Sequence, residues 1–202
     1  RIEAIELLRF SEDKVIHISS AVDSRFRQLP IKEDDERAIL KKFRISKPFV
    51  MYTGGIDFRK NIEGLIVAYS RLPLNLRSNH QLVIVCNVTE IDFQGLRDFA
   101  KKCGLDYGDL ILTGYVTDEE MVFLYNTCKL FIFPSFHEGF GLPVLEAMAC
   151  GAAVIGSNKT SIPEVIGYDD ALFDPYDIKN MSLKIEQALT NDIFREKLKS
   201  RG

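Results

Sequence analysis

The sequence is poor in the patterns that identify metal, redox and disulfide-bonded proteins. It contains four cysteines in 202 residues, and no two of them form a C-x-x-C pair. That spacing argues against a zinc site and against a thioredoxin-like motif. We therefore expect reduced, mostly buried thiols in a cytoplasmic protein. The four positions are Cys86, Cys103, Cys128 and Cys150.

Other absences argue against further classes of function. The formal net charge is −3, so no excess of positive charge points to a nucleic-acid partner. No run approaches the roughly 20 apolar residues that span a bilayer. The P-loop motif G-x-x-x-x-G-K-[ST] is missing, and residues 139–144 carry only two of the three glycines of a dinucleotide-binding G-x-G-x-x-G. No Asp-x-Asp pair follows a predicted strand to bind a metal.

The sequence does contain a regular alternation of apolar runs and amphipathic segments. Continuous apolar runs predict strands buried on both faces, and their alternation with helices predicts a parallel sheet. With 46% hydrophobic residues, the chain suits one globular α/β domain. The predicted fold is a Rossmann-like parallel sheet of about six strands with helices on both faces. The predicted strands are 49–53, 82–86, 110–112, 129–133, 152–155 and 171–173, and the predicted helices are 32–44, 61–72, 91–103, 118–126, 142–150, 161–166, 178–189 and 192–200.

The first 44 residues stand apart from this alternation. They contain a short β-like run at 15–18 and the charged helix predicted from residue 32. We expect residues 1–44 to be a partial N-terminal or linker segment that packs on a domain formed by residues 45–202. Since the sequence begins without methionine and stops soon after a helical pattern, we also expect a piece of a longer protein.

Two adjacent cations follow the strand predicted at 49–53. The segment G-G-I-D-F-R-K-N contains Gly55, Arg59, Lys60 and Asn61, and Asn61 is expected to cap the next helix. Glycine lets the backbone leave the strand sharply. Arginine can bind phosphate oxygens in bidentate fashion, so the cation pair suits a diphosphate at the carboxyl end of the strand. The alternative is a solvated loop with an ordinary Arg–Lys pair.

A glycine turn follows the strand predicted at 110–112. It reads T-G-Y-V and ends at Val116. Its glycine brings main-chain groups close to a flat ligand such as a nucleotide base. An ordinary turn between a strand and a helix is the alternative.

The most informative stretch is F-H-E-G-F-G-L-P-V-L-E-A-M-A-C-G, residues 136–151. Glu138 stands before a predicted helix and Glu146 stands inside it, eight positions later. A helix N-terminus attracts phosphate through its free N–H groups and its dipole, and a nearby carboxylate accepts hydrogen bonds from sugar hydroxyls. The spacing therefore suggests a nucleotide-sugar site. His137 is interpreted either as an acid or base or as a residue that shapes the loop.

Together these segments resemble a known family. The stretch F-P-S-F-H-E-G-F-G-L-P-V-L-E-A-M-A-C-G-A-A-V-I-G-S-N is similar to the signature of retaining glycosyltransferases of group 1 (family four). Y-T-G-G-I-D-F-R-K-N, L-T-G-Y-V-T-D-E-E-M and S-I-P-E-V-I-G extend the match over roughly residues 45–190. The resemblance implies the GT-B fold, in which two Rossmann-like domains enclose the active site. This chain resembles the C-terminal, donor-binding half.

The resemblance also implies a role for each matched residue. Arg59 and Lys60 match the pair that holds the donor diphosphate and stabilises the leaving nucleotide. Glu138 matches the carboxylate that faces the transferred sugar, and Glu146 matches the one that binds the ribose. Catalytic roles are thus expected for Glu138, Arg59 and Lys60. Contacts to the donor are expected from Gly55, Val116, Ser135, Gly139, Phe140, Gly141, Leu142 and Glu146.

The implied reaction moves a hexose of mannose or glucose type from a nucleoside-diphosphate sugar, with retention and without a metal or other cofactor. GDP-mannose is the first expected donor and UDP-glucose the second. A sugar, lipid-linked or polysaccharide acceptor is expected to bind a missing N-terminal domain, so the chain alone should hold a donor and transfer nothing. For the full-length protein, peripheral association with the inner membrane face is an alternative to a purely cytoplasmic location.

Two other functions stay open. A nucleotide-binding α/β module without transfer activity would share this fold, and so would a GT-B sugar-nucleotide epimerase. A phosphorylase would need a lysine for pyridoxal phosphate, and the sequence offers no matching context for one. The intact set of Arg59, Lys60, Glu138 and Glu146 favours the transferase, because a degenerate relative would be expected to lose at least one of them.

Overall fold

The computed structural model describes residues 2–16 and 18–201. Within them the strands are β1 (Phe49–Thr53), β2 (Gln81–Val85), β3 (Leu110–Leu112), β4 (Leu130–Phe133), β5 (Val154–Ser157) and β6 (Leu172–Phe173). The α-helices are α1 (Ile2–Glu6), α2 (Glu33–Lys42), α3 (Ile62–Ser70), α4 (Leu74–Asn79), α5 (Glu90–Lys102), α6 (Asp118–Thr127), α7 (Leu142–Ala149), α8 (Ile162–Ile166), α9 (Ile178–Thr190) and α10 (Asp192–Arg201).

The six strands form one parallel sheet in the order β3-β2-β1-β4-β5-β6. Every residue of β1, β2 and β4 is buried, as continuous apolar strands require when both faces of a sheet are covered. The helices that cover the sheet fall into two groups. In one group α3 contacts both α5 and α9, and in the other α7 contacts both α6 and α8. The predicted α/β architecture is confirmed.

The strand order reverses at the centre of the sheet. From β1 the chain first moves outward to β2 and β3, and then returns to place β4 on the other side of β1. The loops that follow β1 and β4 therefore leave the same edge of the sheet in opposite directions and open a crevice between them. In sheets of this kind ligands bind at that point, beyond the carboxyl ends of the strands.

Two details of the N-terminal half differ from the sequence-based expectation. The strand predicted at 15–18 is wrong for residues 15, 16 and 18, while His17 lies outside the described residues. Ile16 and Ile18 are 80% and 84% exposed, so neither side chain is buried as a strand of the central sheet would require. Helix α4 was not predicted, because Pro73 ends the preceding helical segment and α4 is only six residues long.

Part of the N-terminal segment packs against α6. The Asn126 side chain accepts a hydrogen bond from the backbone N–H of Leu29 at 2.8 Å and donates one to the carbonyl of Arg27 at 3.0 Å. Arg25 forms an ion pair with Asp118 at the start of the same helix. Helix α2 also contacts α6. The domain boundary at residue 45 stays a prediction.

Across residues 2–16 and 18–201, no helix is both long enough and apolar enough to cross a membrane.

Candidate functional site

The residues predicted to carry function gather at the carboxyl edge of the sheet. They follow β1, β3 and β4 or begin the helix after β4, and so they surround the reversal of strand order. Those after β1 are Gly55, Arg59 and Lys60; Val116 follows β3; and Ser135, Glu138, Gly139, Phe140, Gly141, Leu142 and Glu146 follow β4.

Lys60 and Glu138 form an ion pair across the crevice. The Lys60 ammonium donates to Glu138 Oε1 at 2.7 Å, although the two residues are 78 positions apart in the sequence. Their side chains are 20% and 12% exposed, so water screens this pair less than it screens an ordinary surface pair. The structure thus brings together the two residues assigned to the diphosphate and to the sugar, and each currently neutralises the other.

Arg59 lies on the exposed side of the same loop. Its Nε donates to Asp57 Oδ1 at 2.8 Å, and its backbone N–H donates to the same oxygen at 3.2 Å. Asp57 thereby caps the short 3₁₀ turn Phe58–Lys60, and the hydrogen bond from the Arg59 side chain lowers the pKa of the Asp57 carboxyl. The Arg59 side chain stays 64% exposed, so its guanidinium is accessible to a ligand.

Asn61 does not cap helix α3 with its side chain, contrary to the expectation from the sequence. Its backbone is left-handed, with φ of 56°. Its side-chain amide instead donates to the carbonyls of Pro134, at 3.1 Å, and Pro175, at 2.9 Å. One buried side chain therefore joins the loops that follow β1, β4 and β6. Gly64 leaves room for it, because a Cβ there would lie 2.1 Å from Asn61 Oδ1.

Glu146 lies one turn into α7 and contacts a tyrosine of α6. The Tyr125 hydroxyl donates to Glu146 Oε2 at 3.0 Å. Burial raises the pKa of the Glu146 carboxyl, and the hydrogen bond from Tyr125 works against that rise. Burial, together with the nearby Glu146 charge, also raises the pKa of Tyr125 well above its ordinary value, so its hydroxyl stays a donor.

The loop that carries Glu138 is held by the segment between β5 and α8. The backbone N–H of Glu138 donates to Thr160 Oγ1 at 3.1 Å. The Ser161 hydroxyl lies 3.2 Å from the carbonyl oxygen of Glu138 and 2.9 Å from that of Phe140. Thr160 has φ of 53°, a strained value for a β-branched residue. These contacts fix the loop main chain on which the Glu138 side chain stands.

Gly141 makes the tight entry into α7. Its φ is 100°, and a Cβ at this position would lie 2.6 Å from Ile162 Cδ1. Pro143 occupies the first turn of α7, where its missing N–H costs no helical hydrogen bond. The N-terminus of α7 thus opens next to Glu138, with Gly139 and Phe140 in the connecting turn.

The remaining predicted residues complete the edge. The Tyr52 hydroxyl donates to the Gly55 carbonyl at 2.8 Å and supports the turn after β1. Val116 is half-buried against the core, and the side chain of Leu142 is exposed. Ser135 is buried, and its hydroxyl has no hydrogen-bond partner among the described residues. His137 is exposed.

Sequence reasoning missed the residues that support the site. Asp57 had a readable signal, because an Asp two positions before a cation in a loop commonly accepts a local backbone N–H. Tyr125, Thr160 and Ser161 act on the glutamates from more than 20 positions away. No local pattern marks such contacts. In the described part of the chain, no group of three or more His, Cys, Asp or Glu side chains is placed to hold a metal ion.

Comparisons with known proteins find relatives of this chain. Residues 34–202 match the family described as "Glycosyl transferases group 1". The chain is 43% identical over 198 residues to the serotype-specific mannosyltransferase WbdA of Escherichia coli, covering 98% of this chain and 24% of that protein. It is 35% identical over 207 residues to the O-antigen chain mannosyltransferase B of Escherichia coli, covering all of this chain and 52% of that protein.

A solved structure shares the fold. The glycosyltransferase from Rickettsia africae ESF-5 superposes with a TM-score of 0.83 at 18% identity, over 98% of this chain and 54% of that one. The chain therefore spans between a quarter and about half of the length of these relatives. The family match over most of the chain and the identity to both curated relatives place it plainly: the chain belongs to the group 1 family of glycosyl transferases.

Proposed function

We propose that this chain is the donor-binding part of a hexosyltransferase that takes a hexose of mannose or glucose type from a nucleoside-diphosphate sugar. GDP-mannose is the first candidate donor and UDP-glucose the second. The observation that carries the proposal is the Lys60–Glu138 pair, which lies at the reversal of strand order beside the N-terminus of α7. The names of the curated relatives support mannose as the hexose and a growing polysaccharide as the acceptor.

In this proposal the donor divides into three parts. Arg59, Lys60 and the N-terminus of α7 receive the diphosphate, because cations and free N–H groups stabilise the negative charge that builds on the leaving group. Glu146 accepts hydrogen bonds from the ribose. Glu138 faces the hexose, where its carboxylate orients hydroxyls and stabilises the positive charge that develops at the anomeric carbon.

The proposed transfer retains configuration and uses no metal. Arg59 and Lys60 supply at the diphosphate the positive charge that a metal provides in other transferases. We assign no protein nucleophile, because the sequence offers no convincing second carboxylate for that role. Same-face attack assisted by the leaving phosphate accounts for retention without one.

Calorimetry with GDP, UDP, ADP, GDP-mannose and UDP-glucose tests the proposal, with each titration run in Mg²⁺ and in EDTA. We expect saturable binding of at least one nucleoside diphosphate, with dissociation constants that agree within about twofold in the two buffers, a difference of roughly 0.4 kcal/mol. The absence of binding by every nucleotide would contradict the donor site. A strict requirement for Mg²⁺ would contradict only the metal-independent part.

The double variant Arg59→Ala with Lys60→Ala should abolish binding. The matched control is Lys47→Ala with Lys129→Ala, which removes two cations that precede β1 and β4, at the amino edge of the sheet. This control should bind as the wild type does, because its charge change is equal and its position is remote. Equal losses in both variants would show that net charge, and not the loop after β1, governs binding.

The sugar distinguishes a transferase donor site from a plain nucleotide-binding module. A donor site should bind GDP-mannose or UDP-glucose at least as tightly as the free diphosphate and lose that preference in Glu138→Ala. A module should bind the diphosphate alone and be indifferent to Glu138. Chromatography of the donor after long incubation tests the epimerase alternative, which predicts a new sugar nucleotide.

A further inference from the structure

We propose that Tyr125 is a positioning residue that orients Glu146 and makes the site select ribonucleotides over 2′-deoxyribonucleotides. The inference rests on the proposed function, because it takes Glu146 as the carboxylate that meets the ribose. Tyr125 lies in α6, outside every segment to which the sequence assigned a contact with the donor.

The phenol ring of Tyr125 contacts two other aromatic rings. The residue is fully buried. Its ring meets Phe131 of β4 edge to face, with centroids 5.4 Å apart, and Phe26 of the N-terminal segment edge to face at 6.0 Å. Edge-to-face contacts at these separations are favourable and directional. The hydroxyl of this fixed ring therefore has a defined position, 3.0 Å from Glu146 Oε2.

The N-terminal contact of the ring is itself anchored. Phe26 is followed by Arg27 and Leu29, whose backbone groups are bound by the Asn126 side chain. Asn126 lies one residue after Tyr125 in the same helix. Ring and anchor thus share one turn of α6, so the backbone that follows Phe26 is bound next to Tyr125.

The bond from Tyr125 uses one acceptor position of the Glu146 carboxylate and leaves Oε1 and a second lone pair of Oε2 for the ligand. The same bond restricts the rotation of the carboxylate. A ribose diol can donate to a carboxylate held in this way. A 2′-deoxyribose offers one donor fewer and leaves a half-buried anion less well satisfied. Sites built to hydrogen-bond a hydroxyl reject analogues that lack it for this reason.

Paired titrations of GDP with 2′-deoxy-GDP and of UDP with 2′-deoxy-UDP test the inference. For whichever base binds, the wild type should prefer the ribonucleotide by about tenfold, the size expected for one hydrogen bond to a charged group. Tyr125→Phe keeps the ring and its aromatic contacts and removes only the hydroxyl. It should bind the ribonucleotide more weakly and reduce the preference to less than about threefold.

Tyr69→Phe is the matched control. Tyr69 is also fully buried, but its hydroxyl has no hydrogen-bond partner among the described residues. The same chemical change at Tyr69 should leave both the affinity and the ribose preference at wild-type values. Phe26→Leu is a second variant that tests the same effect if Tyr125→Phe fails to fold. Phe26 is partly buried and contacts the Tyr125 ring edge to face. Phe26→Leu should reduce the preference by about twofold, a fraction of the full hydrogen bond.

Three outcomes overturn the inference, and they differ in what else they overturn. A folded Tyr125→Phe variant that keeps the wild-type preference for ribose contradicts the role of Tyr125 and nothing else. If Tyr125→Phe does not fold, an unchanged ribose preference in Phe26→Leu has the same meaning. If the wild type binds GDP or UDP without a preference for ribose, both the role of Tyr125 and the assignment of Glu146 to the ribose are wrong. The proposed diphosphate site is unaffected by that result. A wild type that binds no nucleotide sinks the proposed function as well.

Discussion

In the proposed site, a diphosphate that enters the crevice competes with Glu138 for the Lys60 ammonium. The Lys60 ammonium cannot give full charge to a phosphate while it donates to Glu138 at 2.7 Å. In the proposed function, we therefore expect a diphosphate that binds Lys60 to release Glu138, whose oxygens can then accept hydrogen bonds from hydroxyls of the hexose. The roles proposed for Lys60 and Glu138 therefore do not conflict with their ion pair: the pair forms in the free chain, and its two side chains separate when a diphosphate binds.

The first prediction concerns this competition. Glu138→Gln should bind the free nucleoside diphosphate roughly three- to tenfold more tightly than the wild type, because Lys60 no longer has to leave an anionic partner. The same variant should lose the extra affinity for the nucleotide sugar. Calorimetry with the diphosphate and with the full donor measures both changes.

Asp174→Asn is the control for this effect. Asp174 pairs with Lys159 at 3.4 Å on a neighbouring loop, so the substitution removes one negative charge from the same edge without freeing Lys60. If Asp174→Asn tightened diphosphate binding as much as Glu138→Gln, general charge would explain the gain. Weaker diphosphate binding by Glu138→Gln would show that the two residues cooperate.

A second prediction concerns the protonation of Glu146. Burial raises its pKa above the ordinary 4.5, so the folded chain holds this proton more tightly than the unfolded chain does. The stability that the protonated group contributes is therefore lost as the pH rises through the raised pKa. Glu146→Gln should melt at a higher temperature than the wild type at pH 7. The difference should shrink on acidification and vanish below the ordinary pKa.

Thermal melts of both proteins between pH 4 and pH 8 measure this difference. Glu164→Gln is a suitable control, because Glu164 is an exposed glutamate of α8 and should give no pH-dependent gap. A Glu146→Gln variant less stable than the wild type at pH 7 would contradict the prediction. It would mean that the bond from Tyr125 outweighs the cost of burying the charge.

At the scale of elements, the turn between β4 and α7 contains two glycines, Gly139 and Gly141, and only the conformation of Gly141 requires a glycine. Gly141→Ala should lower the free energy of unfolding by about 1–3 kcal/mol, because the new Cβ meets Ile162 and the positive φ is strained for alanine. Gly139→Ala is the control: a Cβ there has no neighbour within 4 Å. It should change the stability by less than about 0.5 kcal/mol.

Urea denaturation of both variants measures the two values. A small loss at Gly141 would mean that Ile162 and the turn relax together, and that the entry to α7 is softer than its geometry suggests. A loss at Gly139 comparable to that at Gly141 would show that the whole turn resists side chains.

The elements that sequence reasoning located are those with a strong local pattern. Strands β1 and β3 begin and end where predicted, because continuous apolar runs are bounded there by glycine or polar residues. Ile16 and Ile18 belong to a run of the same local character, but their side chains are exposed, which the sequence does not reveal. Likewise, glycine and charge patterns identified Lys60 and Glu138. Their pairing depends on the order of strands, which no local pattern contains.

At the scale of the whole molecule, the N-terminal segment is held to the domain chiefly through α6. Asn126→Ala removes the side chain that bonds to Leu29 and Arg27, and it should cost about 1–2 kcal/mol. The loss should be local. Hydrogen exchange at the Leu29 amide should accelerate at least tenfold, while exchange in β1 and β4 stays unchanged.

Asn79→Ala provides the comparison. Among the residues that the structure describes, its side chain bonds only to the carbonyl of Asn75 within its own short helix, so the substitution tests the loss of an amide without undocking a segment. Protected exchange at Leu29 in Asn126→Ala would show that other contacts, such as Arg25 with Asp118, hold the segment by themselves.

The side chain of Asn61 has a consequence for engineering. Its amide satisfies carbonyls in two other loops, and Gly64 provides the space in which it does so. A loop grafted after β4 to change the sugar preference must therefore present a carbonyl where Pro134 presents one, or it leaves a buried amide unpaired. Residues 61–64 and the loops that contain Pro134 and Pro175 therefore have to be exchanged together. Exchanging one of them alone should yield a less stable protein.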